Sequence, residues 1–399
     1  MPPRGTTRRR LPEASHAVEP RRARVEIDLA ALERNFRRLE ARVAPARVLP
    51  VVKADAYGHG AVAVARRLAP LGAAGVAVAL VEEGIELRRA GVREAILVLS
   101  PTPRGAEEAL VEFELTPAIS GADQLERIEA AGTRAGRRIP VHLKFDTGMT
   151  RLGLPPDAAA GLVDRLRRSP GLALAGLMSH LAEAEEPASP ANDRQLAAFR
   201  ELVERLPRDS GCALHLANSA GALQLPETRF DLVRCGLALY GIAPEGVAAD
   251  LEPVMSLRAE LVQVRDVEVG TRAGYGGRWT ATRPTRVGVV PVGYADGYPW
   301  RAGESAEALL GGRRIRHAGA VSMDLMLFDL GPAGGEVGDS VTLLGRDGGE
   351  EIAAREIAGR AGTLVYEVLC HFGLRLPRRA VEGRPAAAGT ATVAGAAPR

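Results

Sequence analysis

The chain has 399 residues, 46% of them apolar and 25% charged, enough for a substantial core and for one large domain with a smaller one beside it. Its formal charge of +3 sits at the ends: the first 24 residues hold seven Arg against two Glu, and the last 22 hold four Arg against one Glu, so the body between them is net acidic and argues against a nucleic-acid-binding domain. No run approaches the roughly 18 consecutive apolar residues of a membrane span, and three cysteines without metal-ligand spacing fit a reducing cytoplasm better than a disulfide framework or a zinc site.

Residues 1–24 read as a disordered basic extension. Thr7-Arg8-Arg9-Arg10 begins like a twin-arginine signal, but Leu11 to His16 supplies no apolar segment after it; an Arg-rich organelle presequence is the alternative. From Val25 to about residue 250, short apolar runs alternate with amphipathic stretches. The runs Leu49 to Lys53, Gly75 to Leu80, Ala95 to Leu99, Thr116 to Ile119, Val141 to Phe145, Leu172 to Met178, Ala213 to Leu216 and Leu232 to Val233 predict strands. Ala61 to Leu68, Ala122 to Ala131, Ala158 to Arg168 and Asp193 to Leu206 predict helices between them. Eight strands alternating with helices point to an α/β barrel, (β/α)8, rather than an open sheet. Lys53, Lys144, His180, Asn218, Ser219 and Arg234 all fall at or just beyond the C-terminal end of a predicted strand, the face where such barrels place their active sites. Over residues 251–378 the texture changes. Leu257 to Val269, Arg286 to Val292, Arg313 to Phe328 and Ser340 to Leu344 read as strands of a mainly β domain, interrupted by one helical stretch, Ile352 to Cys370. Residues 379–399, mostly Ala and Gly with Pro, read as a disordered tail.

Two of the 52 basic residues are lysine, Lys53 and Lys144. On a solvated surface either cation serves, but guanidinium does not deprotonate in proteins, whereas a lysine amine can lose its proton and attack a carbonyl. Both lysines follow apolar runs, in VVKADAYGHG (residues 51–60) and KFDTGMTRLG (residues 144–153).

The first segment resembles the cofactor-lysine signature of the alanine racemases, pyridoxal-phosphate enzymes that interconvert L- and D-alanine. Further similar segments follow in family order: Leu177 to Glu185, LANSAG from Leu216, Asp231 to Gly241, YADG from Tyr294, VSMD from Val321, and Tyr366-Glu367-Val368. The similarity runs from about Val25 to Pro377, and such collinearity is more specific than any single motif. The resemblance implies a barrel and a β domain that reaches across a homodimer to complete the other subunit's site. It implies that Lys53 holds pyridoxal 5'-phosphate and serves as one acid/base, for which its pKa must fall from about 10.4, and that Tyr275 of the partner is the second. Tyr57, Ser219, Tyr366 and the backbone at Gly236 and Leu237 would hold the phosphate, His180 would flank the ring, and Asn218 would belong to the same wall. Arg234 would face the pyridine nitrogen and keep it unprotonated. Arg151 and the backbone N–H of Met323 from the partner would bind the substrate carboxylate. Lys144 matches a position that many members carry as a carbamate, an anion that would orient Arg151. Where the family commonly has aspartate after the barrel histidine, this chain has Glu185, which leaves the loop geometry open.

The expected partners are therefore alanine and a second copy of the chain, with no nucleic acid, metal or membrane, and the expected role is D-alanine supply for peptidoglycan. A serine or broad-specificity racemase is the nearest alternative, since a small pocket rejects one extra hydroxyl poorly. A barrel-type pyridoxal-phosphate decarboxylase lacks its expected glycine-rich and cysteine motifs here, and a non-catalytic pyridoxal-phosphate carrier would not need Tyr275, Met323 or their domain.

Overall fold

The computed structural model describes residues 21–205 and 212–383. Strand β1 (Ala23–Asp28) opens the chain, followed by eight strands that alternate with helices: β2 (Arg47–Pro50), β3 (Val76–Val78), β4 (Ile96–Val98), β5 (Thr116–Ile119), β6 (Ile139–Lys144), β7 (Leu172–Met178), β8 (Ala213–His215) and β9 (Leu232–Cys235). Strands β3 to β8 form one parallel sheet in chain order, and β2 pairs in parallel with β9. A bridge from Val51 to Ala77 joins β2 to β3. The Asp231 and Arg234 amides donate to the Leu214 and Ala217 carbonyls and join β8 to β9. The eight strands thus close into a ring, the (β/α)8 barrel.

The helices around it bury one stripe each. Pro190–Glu204 starts at Ser189, whose side chain accepts from the Ala191 amide, with Pro190 in the first turn; it buries Leu196, Phe199 and Leu202 at a spacing of three. Ala122–Arg134 buries Leu125, Ile128 and Ala131 in the same way.

The second half comprises β10 (Met255–Glu260), β11 (Gln263–Val267), the short pair β12 (Arg272–Ala273) and β13 (Trp279–Thr280), β14 (Thr285–Val290), β15 (Glu307–Leu310), β16 (Arg313–His317), β17 (Met326–Asp329), β18 (Ser340–Asp347), β19 (Glu350–Ile352) and β20 (Arg378–Val381). Its main sheet runs β11-β14-β17-β16-β15-β18-β10-β1-β20.

Four expectations need correcting. Strand β1 belongs to this second sheet rather than to the barrel: it lies antiparallel to β10 and parallel to β20. Ala23, Val25 and Ile27 are buried on one face, while Glu26 takes Arg24 and Arg258 on the other. Alternation reveals the strand but not its neighbours. For the same reason Ala23 and Arg24 are not part of a disordered extension, and Arg379 to Val381 are not part of a disordered tail; residues 1–20 and 384–399 lie outside the described residues. The single helix expected over Ile352 to Cys370 is two, Ala354–Ala361 and Val365–His371, separated by Gly362 at φ +65°. Arg313 to Phe328 is two strands, and the loop between them carries Val321 to Asp324.

Candidate active site

At the C-terminal ends of the barrel strands a cavity of ≈ 380 Å³ is lined by Lys53, Tyr57, Lys144, Arg151, His180, Asn218, Ser219, Arg234, Gly236, Leu237 and Tyr366, together with apolar residues such as Val51, Leu99 and Met178. Eleven residues expected at the site therefore share one wall.

Lys53 follows β2 directly, at the start of an unusual turn. Ala54, Asp55, Ala56 and Tyr57 are all left-handed, with φ from +52° to +55°. Such a conformation costs roughly 1–2 kcal/mol per residue, and local bonds hold it in place. Glu83 Oε1 accepts from the Ala54 amide at 2.6 Å, Asp55 Oδ1 accepts from the Ala61 amide at 2.7 Å, and His59 Nδ1 bonds the Ala56 and Tyr57 carbonyls at 2.8 and 3.0 Å. The turn brings Tyr57 against Gly236, where a Cβ would stand 2.4 Å from the phenol oxygen. Only glycine leaves that space open.

Arg234 is 4% exposed. It donates to the Ser179, His215 and Leu216 carbonyls at 2.8–3.1 Å and to Nδ1 of both His180 and His215 at 3.0 Å. Every one of these acceptors is neutral. Because each ring accepts at Nδ1, its proton sits on Nε2, and His215 passes the pattern on by donating to His142 Nδ1 at 2.7 Å. Burial, followed by the Arg234 charge, holds His142 down to about 4 and His180 well below its ordinary value; for His215, burial leads and His142 and Arg234 add to it. All three rings are neutral at physiological pH. Burial also lowers Arg234 to about 10.

Both lysines are shifted toward the neutral amine. Burial and then Arg151 lower Lys53, while burial, Arg234 and Arg151 lower Lys144 to about 8. Four cationic side chains face the cavity and, among the described residues, no carboxylate lines it. Such a site is electrostatically incomplete without an anion.

At the other end, Asn218 Oδ1 caps the Gly221 amide at 2.9 Å, and Ser219 Oγ accepts from the Gly236 and Ala238 amides at 3.0 and 3.3 Å. The Tyr366 ring lies 6.1 Å from that of Tyr57. Its hydroxyl donates to Glu185 Oε1 at 3.3 Å. Through that contact the Glu185 side chain reaches the helix Val365–His371. Burial and then Glu185 push the Tyr366 phenol up to about 12.

Tyr275 and Met323 are elsewhere. Tyr275 stands on the turn between β12 and β13, and Met323 on the loop between β16 and β17; they are 76% and 53% exposed and line no part of this cavity. Tyr294, in the YADG segment to which the sequence assigns no role, is 44% exposed beside Met323: its amide donates to the Ser322 carbonyl at 3.1 Å, and that of Ala295 to the Met323 carbonyl at 2.9 Å. Asp296 of the same segment is fully buried against Arg21.

Residues 27–244 match the family model for the alanine racemase N-terminal domain, and residues 254–380 match that for the C-terminal domain. The chain is 42% identical over 368 residues to an alanine racemase from Synechocystis sp., covering 90% of this chain and 98% of the relative. It is 40% identical over 356 residues to one from Syntrophobacter fumaroxidans, covering 88% and 95%. Among solved structures, alanine racemase from D-cycloserine-producing Streptomyces lavendulae superposes with a TM-score of 0.85 at 38% identity, over 92% of this chain and 99% of that one. Alanine racemase from Bartonella henselae with covalently bound pyridoxal phosphate gives 0.82 at 30% identity, over 91% and 100%. The chain belongs to the alanine racemase family.

Proposed function

We propose that the protein interconverts L- and D-alanine with pyridoxal 5'-phosphate held on Lys53. The observation that carries this reading is the cavity itself: four cations, no carboxylate and a largely desolvated lysine, on a scaffold whose relatives include one with covalently bound pyridoxal phosphate. The residues present suit that cofactor. Gly236 leaves space open beside Tyr57; Ser219 and the backbone at Gly236 and Leu237 would hold the phosphate, with Tyr57 and Tyr366 adjacent; His180 and Asn218 would wall the ring; and Arg234, fixed by its hydrogen bonds, would face its nitrogen. When bound, the cofactor would supply an electron sink that acidifies the substrate Cα–H.

The chain's own groups do the rest. Lys53, lowered toward neutrality, takes or returns the Cα proton on one face. Returning it on the same face would restore the starting enantiomer, so a second acid/base must stand opposite, and Tyr275 of the partner subunit is the proposed group. Arg151 and the backbone N–H of Met323 of the partner subunit fix the substrate carboxylate. A pKa of about 8 leaves Lys144 partly neutral at physiological pH and able to add to carbon dioxide with loss of a proton; the resulting carbamate would offset Arg151 and Arg234, whose charges help lower it.

A homodimer supports this division of labour. Tyr275, Tyr294, Trp300, Met323 and Leu325 are exposed on the C-terminal half, more large apolar side chain than a solvated face needs. Among the described residues no helix is long and apolar enough to cross a membrane; residence in the cytoplasm and supply of D-alanine to peptidoglycan complete the proposal. The test is direct. Purified protein with the cofactor should form D-alanine from L-alanine, and borohydride reduction followed by peptide mapping should find the cofactor fixed to Lys53. Label on Lys144 instead would overturn the assignment.

A further inference from the structure

A second cavity, ≈ 330 Å³, lies behind the phosphate end of the first. Tyr366, Ser219 and Leu237 line both cavities and so form the wall between them, while Glu185 lines only the outer one. The Tyr366 hydroxyl is bonded across that wall: it donates to Glu185 Oε1 at 3.3 Å rather than into the cavity that holds Lys53. A phenol has one proton to donate. A carboxylate at this position therefore competes with any anion at Ser219 for the same donor.

We propose that Glu185 sets how tightly the cofactor phosphate is held, by drawing the Tyr366 hydroxyl away from it. The inference rests on the reading of the inner cavity as the pyridoxal-phosphate site. Glu185 is a positioning residue: it acts through Tyr366 and keeps the cofactor exchangeable. Among the described residues the Tyr366 hydroxyl has no other hydrogen-bond partner, so removing the carboxylate frees the proton for the phosphate.

The experiment measures the Kd of the apoprotein for pyridoxal 5'-phosphate by absorbance titration in wild type, Glu185→Gln, Glu185→Ala, Tyr366→Phe and the Tyr366→Phe/Glu185→Gln double variant. Pyridoxal, which lacks the phosphate, serves as the control probe. Glu185→Ala should bind pyridoxal 5'-phosphate about fivefold more tightly, the worth of one hydrogen bond, and Glu185→Gln, whose amide oxygen still accepts but without the charge, should gain less. Pyridoxal affinity should not change, and the gain should vanish in the Tyr366→Phe background. Unchanged or weaker pyridoxal 5'-phosphate binding by both folded Glu185 variants would overturn the proposal, as would an equal gain with pyridoxal or a full gain without the Tyr366 hydroxyl. Wild-type protein that takes up no pyridoxal 5'-phosphate would instead sink the reading of the inner cavity, and the proposal with it.

Discussion

Arg234 carries a charge into the barrel without a carboxylate to answer it, bonded to three carbonyls and two neutral imidazoles. Two unit charges about 4 Å apart at an effective dielectric near 20 interact by about 4 kcal/mol, so such a cation strongly disfavours protonation of a ring nitrogen facing it. Replacing it with Glu should reverse that bias, slow racemisation and raise the fraction of turnovers that end in pyruvate; an unchanged partition in folded protein, with both products measured together, would contradict the proposed contact. At this scale much of the site could be read from sequence. Lys53 and Lys144 stood out because arginine had replaced lysine everywhere else, and the resemblance supplied Tyr57, Arg151 and Tyr366, which periodicity alone would leave as turn and helix residues. The Glu185 contact was not legible, because its partner Tyr366 lies 181 positions away. Nor were the His215 and His142 rings behind Arg234, which are buried and carry no motif of their own.

The left-handed turn over Ala54 to Tyr57 is the element on which the lysine depends, and it contradicts the intrinsic preference of all four residues. No sequence pattern announces four non-glycine residues at positive φ. Gly58, which ends it at φ +80°, packs so closely on the helix Val365–His371 that a Cβ would stand 2.4 Å from the Leu369 carbonyl oxygen. Gly58→Ala should therefore lower stability by about 1–3 kcal/mol and loosen the cofactor, and an unchanged denaturation midpoint would show that the contact is not rigid. The regular elements were more legible. All eight barrel strands overlap the apolar runs that predict them, because strands covered on both faces need continuous apolar sequence, although β2 lies two to three residues earlier than its run and leaves Lys53 in the turn. Breaks within elements were harder. Gly362 was hidden inside an otherwise helical pattern, and the loop before β17 was hidden between two β-like runs.

For the whole molecule, the barrel was legible from the order of its elements, while the sheet of the second half was not, since β1 joins it from the far end of the sequence. That pairing ties β1 to strands more than 200 residues away, so a cut near residue 250 would divide one sheet between the two pieces. Tyr275 and Met323 line no part of the Lys53 cavity, and both face outward. If each site draws Lys53 from one subunit and Tyr275 from the other, Lys53→Ala and Tyr275→Phe homodimers have each lost one half of every site. A mixed dimer then contains one doubly defective site and one intact site. Two-fold symmetry makes half of randomly exchanged dimers mixed, so activity should recover to about a quarter of wild type in the mixture and to about half in purified heterodimers. The measurement is D-alanine formation from L-alanine after co-refolding the two variants and purifying heterodimers through two tags. Recovery from two nearly inactive parents is the predicted result, and verified heterodimers without activity would contradict a shared site.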